Sequence, residues 1–221
     1  IGTNAIRLFI SNVEEYPTET LFKKIAFLRV PIRLGEDVFT TGEIGQQKGK
    51  RLCETMQGFS YIMSAFNVES YKAYATCAMR EARNGKSVAE QIQKECDLNI
   101  EIISGTKEAE TIFAGGMNEV VDDDKTYLYV DVGGGSTEVI VYSKSVKVEA
   151  CSFPLGTVRM LNDAVDKEEM KHFKKWLKNI TEKYTPDAII GSGGNINKIH
   201  KLLNKKERER ITYQELDILY E

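Results

Sequence analysis

Residues 130–141 read VDVGGGSTEVIV, three consecutive glycines set between two β-branched runs, with Asp131 just before them and Glu138 just after. Apolar, β-branched segments bounded by a glycine turn predict two strands joined as a hairpin. Glycine at such a turn permits φ > 0 and a close approach of backbone to a ligand, so Gly133, Gly134, Gly135 and Ser136 can present N–H groups to an anion. An acid at the end of the first strand and another three residues beyond the glycines add a second capacity. Asp131 and Glu138 could hold a divalent cation beside a bound phosphate, since Mg²⁺ favours one or two carboxylates with the remaining ligands from substrate and water.

Working outward, the opening stretch IGTNAIRLFI (1–10) matches VGGGSTEVIV (132–141) without gaps: apolar, glycine, three small or turn residues, then a strand ending in three apolar residues. Two copies of one hairpin suggest two related domains facing each other, with Gly2, Thr3 and Asn4 as the counterpart of the 133–136 loop. Strand patterning further marks 5–12, 24–34, 70–76, 99–103, 126–132, 137–143 and 146–152, and the run YTPDAIIGSGG adds a strand leading into a glycine turn. Helical periodicity marks 43–66, 78–84, 86–97, 106–116, 167–183 and 194–204. Hairpins first and then strands alternating with helices predict a mixed α/β fold with parallel and antiparallel pairing. The acidic run VVDDDK (120–125) reads as a link, placing a boundary between domains 1–115 and 116–221.

Composition excludes several function classes. With 42% apolar and 29% charged residues the chain is an ordinary globular protein. A net charge of -3 gives no support to a nucleic-acid surface, where a basic excess is expected, though a local basic pocket for an anionic substrate is compatible with it. The four cysteines, 53, 77, 96 and 151, form no C-x-x-C pair, so neither a zinc site nor a disulfide framework is indicated. No 18-residue apolar run is present, and a soluble cytoplasmic protein without membrane contact is expected. The first strand of the 1–10 hairpin lacks its leading half, which suggests an N-terminus that is cut or unseen.

The familiar phosphate loops do not fit. REARNGKS ends as a Walker loop ends but has Arg80 where its first glycine belongs, and Gly133–Gly135 lead into a strand rather than into the helix of a dinucleotide fingerprint. His172 and His200 lie on expected helices without partner motifs. Trp176 reads as an apolar-face anchor and the NKKERER run as a solvated helix face.

Six segments together resemble, in order and spacing, the exopolyphosphatase and guanosine pentaphosphate phosphatase family: IGTNAIRL, ATCAMREARNG (75–85), IISGTKEAETIFAGG (102–116), VDVGGGSTEVIV, FPLGTVRM (153–160) and IIGSGGNINKI (189–199). The resemblance implies an α/β architecture of two ribonuclease-H-like domains, of the actin-like ATPase fold, facing a central cleft. It implies hydrolysis of terminal phosphoanhydride bonds in polyphosphate or guanosine pentaphosphate. Glu108, in the S-G-x-x-E-A stretch, would activate the attacking water, and Arg80 would contact the phosphate chain, with Arg83 as the alternative arginine. Asp131 and Glu138 would be the metal-binding acids for Mg²⁺ or another divalent cation, and Gly2, Thr3, Asn4, Gly133 to Ser136 and Gly193 would bind phosphate. Polyphosphate or a phosphorylated guanine nucleotide is the implied substrate, with association as a homodimer left open.

Three departures from the family pattern stand out. Its first loop reads D-x-G-[ST]-N, and the aspartate would fall one residue before Ile1. Lys107 stands where many members carry a second acid. The family also continues past the 191–194 turn, so the second domain is expected to be incomplete. Two other readings are carried: an ATP-dependent kinase of the same fold, using the GSGGN turn (191–195), and a non-catalytic module that senses polyphosphate or a nucleotide.

Overall fold

The computed structural model describes residues 1–17, 20–114, 122, 124–144, 146–206 and 209–220. The boundary expected at 115/116, the last residues of the helix expected over 106–116 and most of the acidic run 120–125 lie outside them. The chain divides into two compact units: Ile1–Glu108 with Thr157–Val165, and Ala109–Gly156 with Asp166–Glu221.

The first unit opens with a turn at residues 1–5 and an antiparallel ribbon of β1 (Ile6–Glu15) and β2 (Thr20–Val30), bulged beside Ile10. Sequence patterning extends β2 to residue 34, but the strand stops at Val30. Pro31 follows it, with no N–H to give the ladder, and Arg33 turns the chain with φ 58°. Helix α1 (Leu34–Thr41) then begins, an element the sequence reading lacks. Helix α2 (Gln46–Ala65) buries Leu52, Cys53, Met56 and Phe59. Next come β3 (Ala73–Ala75), the single-turn helix α3 (Cys77–Glu81), α4 (Gly85–Cys96) and β4 (Ile100–Ile102), with β3 and β4 paired in parallel. One core joins these elements around Ile6, Ile32, Leu34, Leu52, Met79 and Ile92. Short helix α6 (Thr157–Leu161), also absent from the sequence reading, belongs to this unit although the flanking chain belongs to the other.

Helix α5 (Gly105–Ala114) leads into the second unit, a four-stranded sheet in the order β7-β6-β5-β8. Strands β5 (Thr126–Val132), β6 (Thr137–Ser143) and β7 (Val146–Phe153) are antiparallel neighbours, and β8 (Ala188–Ser192) lies parallel to β5. The pairing is mixed, as the patterning predicts. One face carries Tyr129, Ile140 and Tyr142 against Ala109 of α5. Phe153 packs edge-on against Phe173 and Trp176 of α7 (Lys167–Tyr184), with ring centroids at 4.9 and 5.4 Å, so Trp176 is an apolar anchor. Helix α8 (Gly193–Leu202) follows β8 directly, and α9 (Tyr213–Tyr220) ends the described chain. The described part of the NKKERER run is not helical. α8 stops at Leu202, and beyond it Lys205 is drawn into ion pairs with Glu209 at 3.1 Å and Glu215 at 2.6 Å.

Candidate active site

In the first unit the turn before β1 is closed by Gly2 N–H donating to the Ala5 carbonyl at 3.1 Å, so the Gly2 amide is spent on the turn itself. A Cβ at residue 2 would stand 3.3 Å from that oxygen, closer than most Cβ contacts. The start of α1 grips the turn from outside. Arg33 N–H donates to the Asn4 carbonyl at 3.0 Å and Gly35 N–H to the Thr3 carbonyl at 2.9 Å. Thr3 is buried beneath α1 and Asn4 is exposed.

Arg80 and Glu108 come from different elements and meet. Glu108 lies in the first turn of α5, its N–H bonded to the Ser104 carbonyl at 2.9 Å, and the helix N-terminus favours an acid there. Arg80, on α3, donates through Nη1 to the Ile103 carbonyl at 2.8 Å, and the same atom lies 3.6 Å from Glu108 Oε2. Both side chains are largely covered, at 27% and 16% exposure, so neither is an ordinary solvated charge. Arg83 does something else. Its side chain is 68% exposed and caps the end of α1, donating to the Thr41 carbonyl at 3.0 Å and pairing with Glu43 at 3.4 Å.

Sequence reasoning gave no role to Arg159 of α6, yet its side chain is only 12% exposed. The guanidinium lies 2.6 Å from Glu81 Oε2 and 4.2 Å from the Phe39 ring centroid, clamping the helix that carries Arg80. FPLGTVRM contains Arg159, but its partners are remote in sequence, and no local spacing announces them.

The second unit repeats the turn. Gly133 N–H donates to the Ser136 carbonyl at 2.8 Å, and a Cβ at Gly133 would meet that oxygen at 3.1 Å. Asp131 and Glu138 are opposed residues of the β5–β6 ladder, so their side chains share one face, one on each side of the turn. Glu138 is 2% exposed and accepts from Ser152 Oγ at 2.9 Å. Gly193, the first residue of α8, has φ 90°, and a Cβ there would stand 2.4 Å from Asp131 Oδ1. The absence of a side chain thus lets the carboxylate approach the helix N-terminus, where backbone N–H groups favour negative charge. Asn195 on the next turn side donates to the Val132 carbonyl.

Tyr129 lies on the same face of the sheet. Its phenol is pushed up to about 12 by burial, reinforced by the carboxylates of Asp131 and Glu138, while Ser192 acts in the opposite direction. Gly156, in the chain after β7, passes so close to the turn that a Cβ would lie 2.4 Å from the Gly134 carbonyl. Ser152, Tyr129 and Gly156 were not foreseen as parts of this site.

Among the described residues no cluster of three or more His, Cys, Asp or Glu side chains could enclose a metal. Asp131 and Glu138, hard oxygen donors on one face of the second unit's sheet, are the two carboxylates that could hold a cation there. That suits a Mg²⁺ that takes most of its ligands from phosphate and water, and does not suit a zinc cage.

The sequence–structure pattern so far is that of a mixed α/β protein with one glycine turn repeated in two units, acids beside the second turn and a covered arginine–glutamate pair near the first. A model of the Ppx/GppA phosphatase family matches residues 13–219, and the chain belongs to that family. A bifunctional 3-dehydroquinate synthase/phosphatase of Fusobacterium nucleatum is 30% identical over 164 residues, 72% of this chain and 25% of that protein. Exopolyphosphatase 1 of Mycobacterium bovis is 23% identical over 220 residues, 91% of this chain and 62% of the relative. The chain thus spans about a quarter of the first of these relatives and under two thirds of the second.

The crystal structure of an exopolyphosphatase from Cytophaga hutchinsonii superposes with a TM-score of 0.81 at 25% identity, covering 97% of this chain and 71% of the other. The Aquifex aeolicus family member gives 0.75 at 24% identity, over 100% of this chain and 75% of that one. The fold is the mixed α/β fold of these structures. No helix among the described residues is long and apolar enough to cross a membrane.

Proposed function

We propose that the protein hydrolyses the terminal phosphoanhydride bond of inorganic polyphosphate or of guanosine pentaphosphate. The observation that carries this reading is the covered pairing of Arg80 with Glu108 at 3.6 Å, in a chain of a phosphatase family. Water attacks the terminal phosphorus, the bond from that phosphorus to the bridging oxygen breaks, and the shortened phosphate chain leaves with the bridging oxygen. Glu108 takes the proton from the attacking water. Arg80 holds phosphate oxygens: the guanidinium has five N–H donors in a planar fork, of which the contacts to Ile103 and Glu108 engage Nη1.

Each unit's glycine turn, Gly2–Asn4 in the first and Gly133–Ser136 with Gly193 in the second, would present backbone to phosphate oxygens. Gly2 and Gly133 use their own N–H groups to close these turns. Asp131 and Glu138 would hold Mg²⁺, with Ser152 orienting Glu138. When bound, the ion would neutralise charge on the phosphate oxygens. Positioning and charge neutralisation supply most of the rate in phosphoryl transfer, and a general base adds about 10²- to 10⁴-fold.

The test is phosphate release from polyphosphate and from guanosine pentaphosphate, measured side by side for the wild-type chain and for Glu108→Gln. The substitution is expected to lower turnover on the preferred substrate by at least about 10²-fold with little change in KM. Unchanged turnover would remove Glu108 from its role. Binding of either compound without any phosphate release from the wild type would make the protein a sensor rather than an enzyme.

A further inference from the structure

Helix α1 grips the first glycine turn and also brings two acids up behind it. The N–H groups of Arg33 and Gly35, where α1 begins, are the ones that bond the Asn4 and Thr3 carbonyls. The approach is close, since a Cβ at Gly35 would lie 2.3 Å from Thr3 Cγ2. Glu36 and Asp37 come next in the chain, in the first turn of α1. Acids there suit the macrodipole of their own helix. An anion bound at residues 2–4 would nevertheless meet both carboxylates as repulsion.

Lys48, in the first turn of α2, answers both acids from inside the first unit. Its Nζ lies 3.0 Å from Glu36 Oε2 and 2.6 Å from Asp37 Oδ1, and it donates to the Arg33 carbonyl at 2.8 Å. An ammonium has three N–H donors, and these three acceptors employ them all. The side chain is 16% exposed, so its charge is screened less than that of a solvated lysine. Asp37 is fixed from a second direction, its Oδ2 accepting from Gly45 N–H at 3.1 Å. The hydrogen bond from Lys48 holds Glu36 below the usual carboxylate range, and Arg33, whose guanidinium lies 3.4 Å from Glu36 Oε1, acts in the same direction. Sequence spacing gives no hint of this hub, because Lys48 reads as one more polar residue of a long helix.

We infer that Lys48 is a positioning residue of the phosphate site at Gly2–Asn4, acting through Glu36 and Asp37: it cancels their charge behind the turn and does not touch the anion. A covered ammonium with every donor engaged is a fixed counter-charge rather than a ligand. The inference deepens the proposed function and rests on its reading of residues 2–4 as a phosphate turn.

It is tested by isothermal titration of sodium tripolyphosphate into the full chain. Three variants are compared with the wild type: Lys48→Met, Glu36→Gln with Asp37→Asn, and all three changes together. Lys48→Met should weaken binding by at least about fivefold in about 50 mM salt and by less than about twofold in about 0.5 M, where screening shortens the reach of the two acids. The double amide variant, which leaves the ammonium without its counter-charges, should bind at least about twofold more tightly than the wild type. The triple variant should return to within about twofold of the wild type, because no charge is left to cancel. A role confined to holding α1 in place would leave the triple variant as weak as Lys48→Met. That result, or a Lys48→Met chain that binds as the wild type does, or a double variant no tighter than the wild type, would overturn the inference and leave the phosphate turn standing. A wild-type chain that does not bind tripolyphosphate would instead overturn the reading of the turn as a phosphate site, and the inference with it.

Discussion

Arg80 and Arg83 stand one helical turn apart in the sequence, and the structure separates their work. Arg80 is covered and lies beside Glu108, whereas Arg83 is exposed and ties the end of α1 through Thr41 and Glu43. Arginine offers a rigid planar fork where lysine offers a point charge, so a change to lysine is severe only where two oxygens are gripped at once. Arg80→Lys should lower kcat/KM on polyphosphate by at least about tenfold, and Arg83→Lys should leave it within about twofold. Steady-state kinetics of the two variants decide the matter, and equal losses would show that the fork of Arg80 is not what the phosphate meets. Glu138 shows the same dependence on surroundings. A carboxylate 2% exposed is costly to bury without partners, and Ser152 Oγ supplies one at 2.9 Å.

At the scale of elements, the glycine turn of the second unit owes its shape to a residue outside it. Gly156 passes within a distance at which a Cβ would overlap Gly134 and Gly135 backbone atoms at 2.4 Å, and backbone cannot move aside as a flexible side chain can. Gly156→Ala should therefore displace the turn, destabilising the protein by about 1–3 kcal/mol and weakening phosphate-chain binding together with it. Calorimetry and substrate KM measured on one preparation check this, and an unaltered Tm would refute the close approach. Nothing in FPLGTVRM distinguishes Gly156 from an ordinary turn glycine, because the atoms it must avoid lie some twenty residues earlier.

The legible elements share a different property. β5, β6, α2, α4 and α7 are long enough for period and apolar content to declare them, and the turn between β5 and β6 declares itself by composition. The elements that escaped are α1 and α9, of eight residues each, and α6, of five. A five-residue helix has too few turns for periodicity. α1 begins only because Pro31 ends β2 and Arg33 adopts the left-handed region at φ 58°, which an arginine does not advertise. The paired acids Asp131 and Glu138 were readable from hairpin register. The clamp of Arg159 on Glu81 was not, being a contact across 78 residues.

At the scale of the whole molecule, among the described residues, a core in the first unit and one in the second share no residue. Leu52, fully buried, belongs to the core of the first unit with Ile6, Met79 and Ile92, and Ile140, equally buried, belongs to that of the second with Tyr129 and Tyr142. The chain passes between the units after Glu108, after Gly156 and after Val165, so α6 is tied to the fate of the first core although both its flanks belong to the second unit. Deleting a buried Leu or Ile side chain to Ala costs about 2–5 kcal/mol, and the loss falls on the cooperative unit whose core contains it. Leu52→Ala is therefore expected to lower one unfolding transition and Ile140→Ala another. In the double variant the two losses should add to within about 0.5 kcal/mol, as they do for sites without shared partners. Urea unfolding followed by exchange at β3 and at β6 distinguishes the two transitions. One transition, moved equally by both substitutions, would show that the separate cores unfold as a single cooperative body.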